Sequence, residues 1–126
     1  MKLENSNFDL SEFKSKDTDS FPNDVLVNLI ELIKQLDIIR NYINEPIIVN
    51  SGYRTPEHNA IVGGVKSSYH IQGKAADIRT KKYSATQLYD IIKMLQNDNK
   101  INLGYAQVYK SRGFVHVDIG PTRKWS

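Results

Sequence analysis

LGYAQVYKSRGFVHVDI, residues 103–119, alternates twice about a short polar interruption. Leu103, Tyr105, Gln107 and Tyr109 recur with a period of two, Ser111-Arg112-Gly113 supplies turn residues, and Phe114 to Ile119 alternates again. A period of two places successive side chains on opposite faces of a strand, so the spacing predicts an antiparallel hairpin. On its second strand His116 and Asp118 share one face, while Val115, Val117 and Ile119 take the other. One face reads as core and the other carries the polar chemistry.

Working upstream, Asn97 to Lys100 is a turn. Ser84 is placed to cap a helix running from Ala85 to about Gln96, with Leu88, Ile91, Ile92 and Leu95 as its core stripe. Ala75, Ala76 and Ile78 around Asp77 predict a strand whose small residues suit a crowded site. The paired glycines of Val62-Gly63-Gly64-Val65 predict a loop. Thr55 before Pro56 predicts the capped start of a short helix that carries His58, expected at the surface. Ile47 to Asn50 is a β-branched run that reads as a buried strand ended by Ser51-Gly52. Before it, Val25, Leu26, Leu29, Ile30, Ile33, Leu36 and Ile39 keep helical spacing from Asn23 or Asp24 to about Tyr42, where Asn44-Glu45-Pro46 breaks the helix. Helices beside a mainly antiparallel sheet predict an α+β fold. Residues 1–23 are predicted to be an extended arm docked by Phe8, Leu10, Phe13 and Phe21, with one domain over 24–126.

The size of the chain, 126 residues, suits a single core. Asp24, Glu31, Lys34, Asp37 and Arg40 interrupt the longest apolar stretch, so no membrane insertion is expected. The net charge of +3 is scattered without a basic run, and no nucleic-acid signature is present, so no nucleic-acid partner is expected either. The absence of cysteine leaves His, Asp and Glu as the only side chains able to hold a metal.

His70 and Asp77 are joined through Gly73, which permits a sharp loop, and His116 arrives from a distant strand. Two neutral imidazoles and one carboxylate form a normal catalytic zinc set with a fourth position open. One carboxylate only partly neutralises Zn²⁺, which stays Lewis-acidic enough to polarise a carbonyl.

Ser68-x-His70-x-x-Gly73-x-Ala75-x-Asp77, followed by Phe114-Val115-His116-Val117-Asp118 and preceded by Ser51-Gly52-Tyr53-Arg54-Thr55-Pro56, resembles the M15 family of zinc peptidases, the D-alanyl-D-alanine carboxypeptidases. Asn59, Val62-Gly63-Gly64 and the Phe-x-Leu-Ser-Glu-Phe opening at Phe8 to Phe13 extend the likeness over nearly the whole chain, in a subgroup common in bacteriophage and bacterial genomes. The resemblance implies the α+β fold shared with the Hedgehog signalling domain, and His70, Asp77 and His116 as zinc ligands. It also implies that Arg54 engages a substrate carbonyl or carboxylate. Ser68 is left with two roles, contact with substrate or ordering of the loop at His70.

Many members of the family carry an acidic general base shortly before the last ligand, and none stands between Tyr109 and Val115 here. Asp118 is the nearest carboxylate and the candidate proton carrier, with orientation of a ligand as its competing role. The implied activity is hydrolysis of peptidoglycan stem peptides by a monomer, either as a D-Ala-D-Ala carboxypeptidase or as an endopeptidase on an internal stem or cross-bridge bond. The alternative is a catalytically silent zinc-containing module for wall binding or phage structure. The opening residues, MKLENSNFDLSEFK, lack the apolar core of a signal peptide, which suggests release to the wall in the manner of a phage lysin, or incorporation in a virion.

Overall fold

The computed structural model describes residue 3 and residues 5–125. Three helices, α1 (Asn23–Ile43), α2 (Pro56–Ile61) and α3 (Ala85–Asn97), accompany four strands, β1 (Ile48–Ser51), β2 (Ala75–Arg79), β3 (Tyr105–Tyr109) and β4 (Phe114–Asp118). The sheet has the order β1-β2-β4-β3, and every neighbouring pair is antiparallel. This is the α+β class expected of the alternation and the helical stripes.

Local chemistry sets the element ends. Ser84 and Gln87 form a reciprocal capping box at the start of α3, and Thr55 Oγ1 accepts the His58 N–H at the start of α2. At the other end of α1, Asn44 adopts the left-handed conformation and its N–H returns to the Arg40 carbonyl. The predicted hairpin turn is a single 3₁₀ turn over Lys110–Arg112, closed by Gly113 at φ +73°. β3 begins at Tyr105, two residues later than the alternation suggested.

The apolar face of the sheet, with Ala76, Ile78, Ala106, Val115 and Val117, joins one buried cluster with α1 and α3. Leu29, Leu32, Ile33, Leu36 and Ile39 of α1 are essentially inaccessible, each worth about 1.5–3 kcal/mol relative to exposure. Residues 8–13 enter the same core. Phe8 and Phe13 meet edge to face at 5.6 Å about a 3₁₀ turn at Leu10–Phe13, and the Phe13 carbonyl accepts the Tyr53 N–H.

The opposite sheet face carries the polar side chains in register. Ser51 lies across from Asp77, Asp77 from His116, and His116 from Gln107. A shift in pairing between Val49 and Ser51 leaves Asn50 unpaired in the ladder, and its Oδ1 accepts from Arg79 Nε at 3.0 Å.

Candidate metal centre and cleft

The polar row of the sheet and the turn at His70 bring three ligand-type side chains together. One atom from each of His70, Asp77 and His116 lies within 4.8 Å of the others. His70 Nε2 is 3.4 Å and His116 Nδ1 is 3.0 Å from the same Asp77 Oδ1. Ligands about 2.0–2.1 Å from a tetrahedral zinc stand about 3.3 Å apart, so these two separations match the edges of such a site. The three side chains are thus spaced as the ligands of such a site would be.

The outer contacts select the tautomers that such a site needs. His70 Nδ1 donates to the Gly52 carbonyl at 2.7 Å, which turns Nε2 toward Asp77. His116 Nε2 donates to Asp118 Oδ2 at 2.8 Å, which leaves Nδ1 on the Asp77 side. Gly52 is fixed by close packing, because a Cβ there would stand 2.7 Å from Phe13 Cα. Gly73, at φ +74°, closes the turn after His70 against the Val25 carbonyl. Ser68 Oγ accepts the His70 N–H at 3.2 Å and also lines the cleft, so its loop-ordering role and its access to substrate are compatible.

Electrostatics follow the same geometry. Burial pushes the Asp77 carboxyl up, but hydrogen bonds from His116 and His70 outweigh it and hold the group well below the usual carboxylate range. Burial pushes the His116 imidazole down, yet its bonds to Asp118 and Asp77 prevail and raise it to about 9 in the metal-free protein. Asp77 is thus ionised at neutral pH, as a ligand must be.

Arg54 turns inward. Its Nε donates to Ser51 Oγ at 3.0 Å, Nη1 to Asn59 Oδ1 at 3.3 Å and Nη2 to Asp77 Oδ2 at 3.4 Å. Asn59, 3% exposed, donates in turn to the Val65 carbonyl and braces the glycine loop. Arg54 therefore commits three of its five N–H donors within the protein, and its first role is to hold the second oxygen of Asp77. The other two donors remain for a ligand.

Asp118 is enclosed behind the His116 ring. It is 1% exposed and lies on the far side of the His116 ring from Asp77. Oδ2 takes both His116 Nε2 and Arg123 Nη2, the latter at 2.6 Å, and Oδ1 takes the Gly120 N–H. Burial raises the Asp118 carboxyl, while His116 and Arg123 more than reverse this and leave it below its ordinary value. Its lone pairs are engaged and it does not line the cleft, so the geometry favours the orienting role over the catalytic one. Arg123 itself lies between the rings of Tyr69 and Tyr105, at 5.0 and 4.9 Å from their centroids.

The cleft over this centre encloses about 630 Å³. Val62 and Val65 of the glycine loop line it together with Tyr109, Arg112 and Phe114. Among the described residues that line it, Asp77 is the only carboxylate.

A family model described as Peptidase M15 matches residues 3–118. The chain belongs to that family. Among curated relatives of this chain, a probable peptidoglycan L,D-endopeptidase MepK of Haemophilus influenzae is 37% identical over 87 residues, 65% of this chain and 44% of the relative. The peptidoglycan L,D-endopeptidase MepK of Escherichia coli K12 is 33% identical over 86 residues, again 44% of its length. The match thus spans less than half of these curated relatives. The crystal structure of the L-Ala D-Glu endopeptidase ChiX of Serratia marcescens superposes with a TM-score of 0.52 at 16% identity, covering 79% of this chain and 89% of that one. That likeness establishes the shared fold.

Four residues of the site escaped the sequence reading: the Gly52 carbonyl, Asn59 as a brace, Tyr109 in the cleft, and Arg123. For Tyr109 a signal was available, since it shares the strand face of Gln107, the register partner of His116. Arg123 lies beyond the last strand, where no periodicity points to a partner.

Proposed function

We propose that this M15 chain is a zinc-dependent peptidase that hydrolyses peptide bonds of peptidoglycan stem peptides, with endopeptidase action preferred over removal of a terminal alanine. The convergence of His70, Asp77 and His116 on one point beneath an open cleft carries the reading. The donor set, the matched separations and the tautomers fit zinc. When bound, zinc supplies a Lewis acid that polarises a peptide carbonyl and lowers the pKa of water to about 7. The endopeptidase preference is supported by the printed activities of the MepK relatives.

The chain's own residues supply the rest. Arg54 keeps Asp77 in place and turns its remaining donors to a substrate oxygen. Tyr109 presents the one phenol lining the cleft among the described residues. Burial first, and then Asp77, pushes this phenol up, so it stays protonated at neutral pH. A phenol held so can donate to an oxygen on which negative charge develops. The Ser68 hydroxyl retains its own proton for substrate while its oxygen orders His70. A wall substrate lies outside the cytoplasm, so the proposal includes delivery of the protein to the wall.

One observation favours a second reading, a zinc-containing wall-binding module without activity: among the described residues the cleft lining offers no carboxylate besides Asp77, itself a ligand in this reading, to take a proton. Purified peptidoglycan incubated with zinc-loaded protein, chelated protein and the His70→Ala variant separates these readings by mass spectrometry. Zinc-dependent internal cleavage supports the endopeptidase, and loss of a terminal alanine points to carboxypeptidase action. Intact peptidoglycan with zinc bound favours the silent module.

A further inference from the structure

The cleft contains two arginines with opposite circumstances. Arg54 is drawn inward by Ser51, Asn59 and Asp77. Arg112, on the turn between β3 and β4, is exposed and has no carboxylate partner among the described residues. It is not randomly placed, since its guanidinium lies over the Phe114 ring at 5.6 Å from the centroid, and the Tyr109 ring stacks on Phe114 at 4.8 Å. Phe114 and His116 are two residues apart on one strand face, about 6.6–6.8 Å along the strand. The guanidinium thus stands roughly one to three extended residues from the metal centre, at about 3.3–3.6 Å per residue. Across the cleft, Val62 and Val65 are 51% and 69% exposed and offer an apolar wall to the same ligand.

We propose that Arg112 is a specificity-determining residue of the cleft, which takes a carboxylate carried by the substrate peptide within about three residues of the scissile bond. The inference rests on the peptidase reading above and names the chemistry that the cleft selects: an acidic peptide, laid between the valine wall and the Tyr109–Phe114 stack. A planar guanidinium already held over an aromatic ring loses less freedom on gripping a carboxylate than a free side chain, and it can do so with two parallel hydrogen bonds. Arg112 makes no contact with the metal ligands, so its loss leaves the centre intact.

The test compares a stem tetrapeptide with the same peptide whose carboxyl groups have been converted to amides. Dissociation constants are measured on chelated protein, which separates binding from turnover, for the parent chain, Arg112→Gln and Arg112→Lys. The expected result is about tenfold weaker binding of the acid peptide by Arg112→Gln, partial recovery with Lys, and no change for the amide peptide. Equal weakening of both peptides, or of neither, overturns the inference. The same proteins, zinc-loaded, are then applied to purified peptidoglycan. Cleavage with a charge-blind Arg112 removes only this inference, whereas peptidoglycan left intact by the parent chain removes the peptidase reading on which it rests.

Discussion

Asp118→Asn neutralises a carboxylate that is 1% exposed and engages His116, Arg123 and the Gly120 N–H together. The amide oxygen can still accept from His116 Nε2, but it does so without charge, and the Arg123 guanidinium loses its ionic partner. A ligand imidazole deprived of a carboxylate support costs about 10–100-fold in metal affinity, or about 1.4–2.7 kcal/mol. The stability cost should be smaller than for a fully buried pair, because Arg123 is 34% exposed and keeps Tyr69, Tyr105 and the Pro121 carbonyl. Competition of the variant with a chromophoric chelator measures the zinc constant, and turnover is then read at saturating zinc. The geometry requires weaker zinc binding with turnover restored to within a few-fold once the metal is replenished. Unchanged zinc affinity with turnover lost by more than about 10²-fold would show that Asp118 carries the proton itself, and the orienting role assigned here would be refuted.

Other consequences can be checked separately. Gly52→Ala drives a Cβ to 2.7 Å from Phe13 Cα and 2.9 Å from its carbonyl oxygen, both backbone atoms, so a loss of about 1–3 kcal/mol should be seen in denaturant melts, with weaker zinc binding through the displaced carbonyl at His70. Tyr109→Phe should lower kcat by about 10²-fold and change KM little, and an unaffected kcat would remove the phenol from the reaction. In chelated protein His116 has a folded pKa of about 9 against an ordinary 6.5, so its stabilisation is complete below pH 6.5 and is lost as pH rises through 9. Thermal melts of chelated protein should therefore fall from pH 6.5 to 9, and a flat or rising profile would contradict the paired His116.

The parts of the fold legible in the sequence were those governed by local rules. Capping by Ser84 and Thr55, the helical stripe of α1 and the alternation about Gly113 each act over a few residues, and the observed elements follow them closely. The placement of β2 between β1 and β4 was not legible, because long-range pairing decides it, yet this placement puts Asp77 between Ser51 and His116. His70, Asp77 and His116 could be singled out because histidine is scarce in the chain and their spacing matches the family motif. The shared face of His116 and Asp118 was read correctly, but strand periodicity gives a direction and no depth. The tail beyond β4 brings Arg123 over Asp118 and seals it from the cleft. The motif placed Arg54 beside the cleft, but only the packing shows how many of its donors are already engaged.

The most direct test of the central claim is a titration of chelated protein with zinc, up to two equivalents, in the presence of purified peptidoglycan. Bound metal and released peptide fragments are measured in the same samples. The account predicts that both rise together and level off at one zinc per chain, and that His116→Ala shows neither at those concentrations. Fragments released without metal, or one bound zinc per chain with no fragments at all, would contradict it.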